Sequence, residues 1–212
     1  MGEASVRASA SPLIRWGVAT LALAGEAESG DLYVVRPVDH GVLVGVVDGL
    51  GHGAEAALAA RKAVAALDRH AAESLPQLLQ RCHEALHGTR GVVMSVAVFS
   101  AIARSLTWLG VGNVEGVLLS TDGGRRSSRD SLVTRGGIVG SELPELRPHV
   151  VPVSPGDTMI FATDGVRSGF ADGVSADASP QQLADDILAR YGKGTDDALV
   201  LVARYLGAGA TG

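Results

Sequence analysis

Two blocks of short apolar segments, parted by a pair of helical stretches and followed by a third helix and a last strand, constrain this chain more than any other feature. The first block reads Ile14–Leu23, Asp31–Val38 and Val42–Val47, joined by glycine-rich and acidic turns of hairpin size. From Ala54 to His70, Ala57, Ala60, Val64, Leu67 and Ala71 recur three and four residues apart and draw one stripe on a helix. Its small side chains let it lie close to a sheet. After Pro76, a good first-turn residue, Leu78, Leu79, Cys82 and Leu86 repeat the pattern until Gly88 stops it. The second block holds Val92–Ala103, Leu106–Leu109, Val117–Leu119, Leu132–Thr134, His149–Val153 and Thr158–Ala162, before a helix over Pro180–Arg190 and a strand over Ala198–Tyr205. Strands in blocks, not alternating with helices, predict an α+β fold of antiparallel sheets faced by helices. No repeat, long linker or low-complexity tract divides the chain, so a single domain over residues 1–212 is expected, with disorder at about 1–10 and 207–212.

Composition removes several function classes. With 46% hydrophobic residues among 212, a sizeable core is available. Mean hydropathy is +0.23, yet the longest uncharged and largely apolar stretch, Gly91–Ala103, has 13 residues, short of the ~18–20 that span a bilayer. The formal charge of 18 − 23 = −5 speaks against a nucleic-acid partner, and no membrane partner is expected. The one cysteine, Cys82, excludes an internal disulfide and a cysteine-built zinc cage. Arg15 before the apolar stretch Trp16–Ala24 imitates a secretory leader, but Ile14, Trp16, Val18 and Thr20 alternate as a strand does. A cytoplasmic protein is expected, and a monomer is compatible with the pattern.

Three local patterns compete for the chemistry. His83-Glu84-Ala85-Leu86-His87 is a literal H-E-x-x-H, which on a helix offers two imidazoles one turn apart for zinc. Its helix stops at Gly88, no third ligand is evident, and the buried stripe already belongs to the neighbouring leucines. Gly49-Leu50-Gly51-His52-Gly53-Ala54 matches the G-x-G-x-x-G/A of dinucleotide sites, with Asp68 at about the right distance downstream. A second helix follows, however, where a dinucleotide unit requires a strand. The third pattern is a set of aspartates at turns or strand ends: Ser29-Gly30-Asp31, Val47-Asp48-Gly49, Thr163-Asp164-Gly165 and Thr195-Asp196-Asp197. Singly, each reads as a turn residue. Gathered, two carboxylates ~4 Å apart repel by roughly 4 kcal/mol at an effective dielectric of 20, so a cation is needed. Hard oxygen donors favour magnesium or manganese.

The order of these motifs, with Gly110-Val111-Gly112-Asn113, Gly136-Gly137-Ile138-Val139-Gly140 and Asp196-Asp197-Ala198-Leu199 in their places, resembles the metal-dependent serine/threonine phosphatases of the PPM (type 2C) family, in their SpoIIE-like branch. The likeness spans about Gly30 to Val202 and extends to the small stressosome phosphatases that carry no sensory domain. It implies an αββα sandwich with a two-metal site at one end of the sheets. Carried over by position, Asp48 bridges two ions, Mn²⁺ or Mg²⁺. Asp31 and the Gly49 carbonyl complete one, Asp164 and Asp196 hold the other, and these four aspartates form the catalytic set. Asp197 then lies behind the ligands. The implied partners are phosphorylated STAS-domain stressosome proteins of the RsbS and RsbR kind, whose dephosphorylation resets a stress response.

Two positions depart from the pattern. Leu50 stands where eukaryotic relatives have a histidine, with His52 two residues on, and Val166-Arg167-Ser168 stands where many branch members have a glutamate. Arg167 reads as a solvated surface arginine, with facing the substrate phosphate as the alternative. The segment Gly123–Gly140, with Arg125, Arg126, Arg129 and Arg135, is a candidate docking surface for an acidic partner. Two rivals remain: a non-catalytic docking module on the same fold, and a phosphatase for another anti-sigma-factor antagonist.

Overall fold

Alternation within the strands decides the layers. In β3 (Gly41–Gly49), Val42, Val44 and Val46 face one way and Leu43 and Val47 the other, and all five are buried. A strand apolar on both faces has to lie inside a stack. The structure, a computed structural model, describes residues 13–122, 125–172, 174 and 178–207, and the side chains of 122–127 lie outside that description. The expected disordered termini fall outside it too, Gly207 apart.

One sheet has the order β2 (Asp31–Val38), β3, β4 (Val92–Ser100), β5 (Ser105–Val111), β8 (His149–Pro152). The other runs β1 (Ile14–Leu21), β10 (Ala198–Tyr205), β9 (Thr158–Ala162), β6 (Glu115–Asp122), β7 (Arg125–Ser131). All ladders are antiparallel. Between the sheets lie Val44, Phe99, Trp108, Met159, Phe161 and Leu201. Helices α1 (Ala54–Arg69) and α2 (Leu75–Ala85) cover the first sheet with Leu67, Leu78, Leu79 and Cys82. Helix α3 (Pro180–Tyr191) covers the second with Leu183, Ala184 and Ile187. The α+β reading and the αββα sandwich are thus the observed architecture.

Local chemistry explains the helix starts. Ser179 and Gln182 form a reciprocal capping box at α3, the Ser179 Oγ accepting the Gln182 N–H at 3.3 Å and the Gln182 Oε1 accepting the Ser179 N–H at 3.0 Å. At α1 the alanines bring the helix so near β3 that a Cβ on Gly49 would lie 2.3 Å from the Ala56 carbonyl oxygen. That contact fixes the backbone beside Asp48.

One strand is placed differently from expectation. The segment Leu132–Thr134 is not a strand, and β7 lies just before it, over Arg125–Ser131. Its sequence, RRSSRDS, has no apolar alternation, because an edge strand takes its ladder from β6 alone and is kept from pairing further by charge. Leu132 donates its N–H to the Gly116 carbonyl of one sheet, and Arg135 donates to the Gly110 carbonyl of the other. The expected strand is therefore a crossing between sheets.

Candidate metal centre

Register brings the first two aspartates together. Asp31 opens β2 and Asp48 lies near the end of β3, and the two are direct partners across the ladder. In the other sheet Ala162 pairs with Val200, so Asp164, just after β9, and Asp196, just before β10, leave the sheet at the same end. Thr163 joins the sheets there: its hydroxyl donates to Asp31 Oδ2 at 2.7 Å and accepts the Leu199 N–H at 2.8 Å. Asp48, Asp164 and Asp196 line one open depression of ≈ 480 Å³ together with Gly51, His52 and Asn113.

The surrounding bonds hold these carboxylates in place. Asn113 Nδ2 donates to Asp164 Oδ2 at 2.9 Å, and the Lys193 ammonium donates to the Asp164 carbonyl oxygen. Asp197 is buried, and its two oxygens accept the N–H groups of Leu23 and Gly30 at 2.8 and 2.7 Å. It fixes the backbone leading into Asp31. Thr163 and Asn113 stood in the sequence motifs without assigned roles. Lys193 gave no signal there, because a lysine between two glycines reads as loop.

Electrostatics sets this cluster apart. Burial pushes the Asp31 carboxyl up to about 7, the Thr163 hydrogen bond opposing it and the charges of Asp197, Asp164 and Asp196 adding to it. Asp48 is pushed up to about 8, again by burial first and then by Asp31, Asp164, Asp196 and Asp197. Every charge that shifts either group is another aspartate. Among the described residues no three His, Cys, Asp or Glu side chains stand close enough to hold an ion by themselves. Asp48, Asp164 and Asp196 line the depression, and Asp31 lies buried beside Asp48 across the ladder. Hard oxygens gathered from four aspartates, with no cation among the charges that act on Asp31 and Asp48, fit a divalent cation with oxygen preference.

The competing patterns end elsewhere. His83 and His87 stack edge to face, ring centroids 4.9 Å apart, and His83 Nδ1 accepts the Gly140 N–H at 3.0 Å. That nitrogen is held by the backbone. We expect His83→Ala and His87→Ala to keep phosphatase activity within about twofold of wild type, the range for side chains away from the chemistry; a collapse of activity in a folded variant would return the zinc reading. The glycine run enters α1, after which α2 follows, and Asp68 is exposed and pairs with Arg36 at 3.4 Å. Cys82 is buried, its thiol pushed up to about 12 by burial, which removes it as a nucleophile. Arg167 does not face the depression's carboxylates: its guanidinium donates to the Arg190 carbonyl at 2.5 Å, at the end of α3. In the arginine segment, Arg129 pairs with Asp172 at 2.6 Å, while the side chains of Arg125 and Arg126 lie outside the described residues.

Four layers with aspartates from four segments at one end of the sheets define a PP2C-type phosphatase. The chain belongs to the SpoIIE family, whose model, Stage II sporulation protein E (SpoIIE), matches residues 38–206, and it is a protein serine/threonine phosphatase. The phosphoserine phosphatase RsbX of Bacillus subtilis (strain 168) is 27% identical over 142 residues, 67% of this chain and 69% of that protein. A chain from a structure of the bacterial stressosome, described as a modular system adapted to control secondary messenger signaling, superposes with a TM-score of 0.81 at 30% identity, covering 90% of this chain and 99% of that one. RsbX in complex with magnesium superposes with a TM-score of 0.82 at 21% identity, covering 93% and 98%. No helix among the described residues is long and apolar enough to cross a membrane.

Proposed function

We propose that this phosphatase removes phosphate from phosphoserine or phosphothreonine in STAS-domain stressosome proteins of the RsbS and RsbR kind. Asp31, Asp48, Asp164, Asp196 and the Gly49 carbonyl would hold two divalent cations, Mn²⁺ or Mg²⁺. The observation that carries this reading is the pair Asp31 and Asp48, opposite each other in register and pushed up first by burial and then by further aspartates, with no cation among the charges acting on them. When bound, such ions supply Lewis acidity and a nucleophilic water at neutral pH.

The chain's own residues prepare the site for that chemistry. Thr163 fixes one oxygen of Asp31, Asn113 fixes one oxygen of Asp164, and Asp197 anchors the backbone before Asp31. Rotation of the carboxylates is thereby restricted before substrate arrives, which lowers the reorganisation needed during reaction. With Cys82 sealed in the core and its thiol held protonated by burial, no phosphocysteine forms there. His52, whose Nδ1 lies 2.7 Å from Glu26 Oε1, is the imidazole on the wall of the depression.

The stressosome assignment is supported by the relatives that share this fold, RsbX by sequence and a stressosome chain by structure. The test is incubation with kinase-phosphorylated STAS partners, with Mn²⁺ and with chelator. Phosphate release in Mn²⁺ that chelator abolishes is expected. Binding of the phosphorylated partner without release in either condition would establish the docking-module rival. Release from another anti-sigma-factor antagonist in preference to the STAS proteins of the stressosome would move the partner and keep the chemistry.

A further inference from the structure

Charge balance at the depression leaves one requirement unmet. Four carboxylates offset two divalent cations, so a phosphate monoester dianion enters a site with no net positive charge left for it. Hydrogen-bond donors on the rim would have to engage its oxygens. Two cations near the site are committed to backbone, Lys193 to the Asp164 carbonyl and Arg167 to the Arg190 carbonyl.

Arg90 is placed differently. The next residue, Gly91, accepts the Leu50 N–H on its carbonyl at 3.2 Å, which pins this segment beside Leu50 and Gly51. Gly51 lines the depression with Asp48, Asp164 and Asp196, and has φ of +85°. A Cβ on Gly51 would lie 2.7 Å from Arg90 Nη1, so the guanidinium occupies the space that the missing side chain leaves. On its other side, Arg90 Nε is 2.5 Å from Glu55 Oε2, at the first turn of α1. The side chain is held through Nε by Glu55, and at 51% exposure its Nη1 end beside Gly51 stays open to solvent and to a ligand. A planar fork oriented by one carboxylate, with its Nη1 end over the wall of an acidic depression, suits a tetrahedral oxyanion better than a point charge does.

We propose that Arg90 is the phosphate-binding residue of this site, engaging the phosphoryl oxygens of the substrate and of the product phosphate. This rests on the phosphatase reading above and adds to it a substrate contact from outside the aspartate motifs. The test is calorimetric titration of inorganic phosphate into the Mn²⁺-loaded protein, which requires no turnover. Arg90→Ala is expected to weaken phosphate binding at least tenfold, with Mn²⁺ affinity unchanged, and Arg90→Lys to recover part of the loss. With para-nitrophenyl phosphate the same variants should raise KM more than they lower kcat. Arg90→Gln serves the same purpose if the alanine variant does not fold. Equal phosphate affinity in wild type and variants overturns the proposal. So does a loss of phosphate binding matched by an equal loss of Mn²⁺ binding, because Arg90 would then only hold the Leu50–Gly51 loop. Arg90-dependent phosphate binding in a wild-type protein that hydrolyses no ester would uphold this inference and refute the phosphatase reading.

Discussion

Asp48→Asn is expected to lower Mn²⁺-dependent hydrolysis of para-nitrophenyl phosphate about a thousandfold or more and, in the same variant, to raise the Tm of the chelated protein. The two effects have one origin. On the proposed function Asp48 would help hold the divalent ions, and Lewis-acid stabilisation by such ions contributes several kcal/mol; about 4 kcal/mol is a thousandfold in rate. Without the ions the same carboxyl is a liability, pushed up to about 8 by burial and by four neighbouring aspartates. An unfolded aspartate ionises near pH 4, whereas the folded one keeps its proton until about 8. Folding therefore takes up a proton in this window, and stability falls as pH rises through it. A neutral asparagine of nearly the same shape removes the cost, on the order of 2 kcal/mol at pH 8, or ~4–8 °C in Tm for a chain of this size. Thermal melts in chelator at pH 8, paired with steady-state assays in Mn²⁺, measure both halves. An unchanged Tm or near-wild-type turnover would remove Asp48 from the centre.

The parts legible in the sequence were those where one physical signal dominated. The stripe Leu78, Leu79, Cys82, Leu86 is buried as its spacing demands, and the apolar runs of β9 and β10 are strands over the expected residues. The strand β7 was not legible, since RRSSRDS carries no apolar period and its only ladder is the one to β6. The aspartates were visible as four separate turn residues, but their meeting depends on register between strands far apart in sequence, which local pattern does not encode. There the family motif supplied the order, and the pairing of Asp31 with Asp48 supplied the geometry. Arg167 is exposed, as the surface-arginine reading expects, with its guanidinium on the Arg190 carbonyl at the end of α3 and not toward the substrate.

Mn²⁺ added to the chelated wild-type protein is expected to raise Tm at pH 8, and to bind there roughly two to three decades more tightly than at pH 6. Asp31 is pushed up to about 7 and Asp48 to about 8, so at pH 6 the folded protein holds both carboxyls mainly protonated. A cation has to displace those protons, and each unit of pH below a ligand's pKa lowers affinity about tenfold per carboxyl. At pH 8 Asp31 is ionised and Asp48 half ionised, so little displacement remains and the neighbouring charges attract the ion. A cation at a hundred times its Kd stabilises by about 2.7 kcal/mol, or roughly 5–10 °C here. Titration in buffers of different ionisation enthalpy should count close to two protons released per protein at pH 6 and fewer than one at pH 8. Asp31→Asn and Asp48→Asn should each flatten the pH dependence, because each removes one of the two competing protons. Equal Mn²⁺ affinity at the two pH values, or no rise in Tm at pH 8, would show that these buried carboxyls are not the ligands.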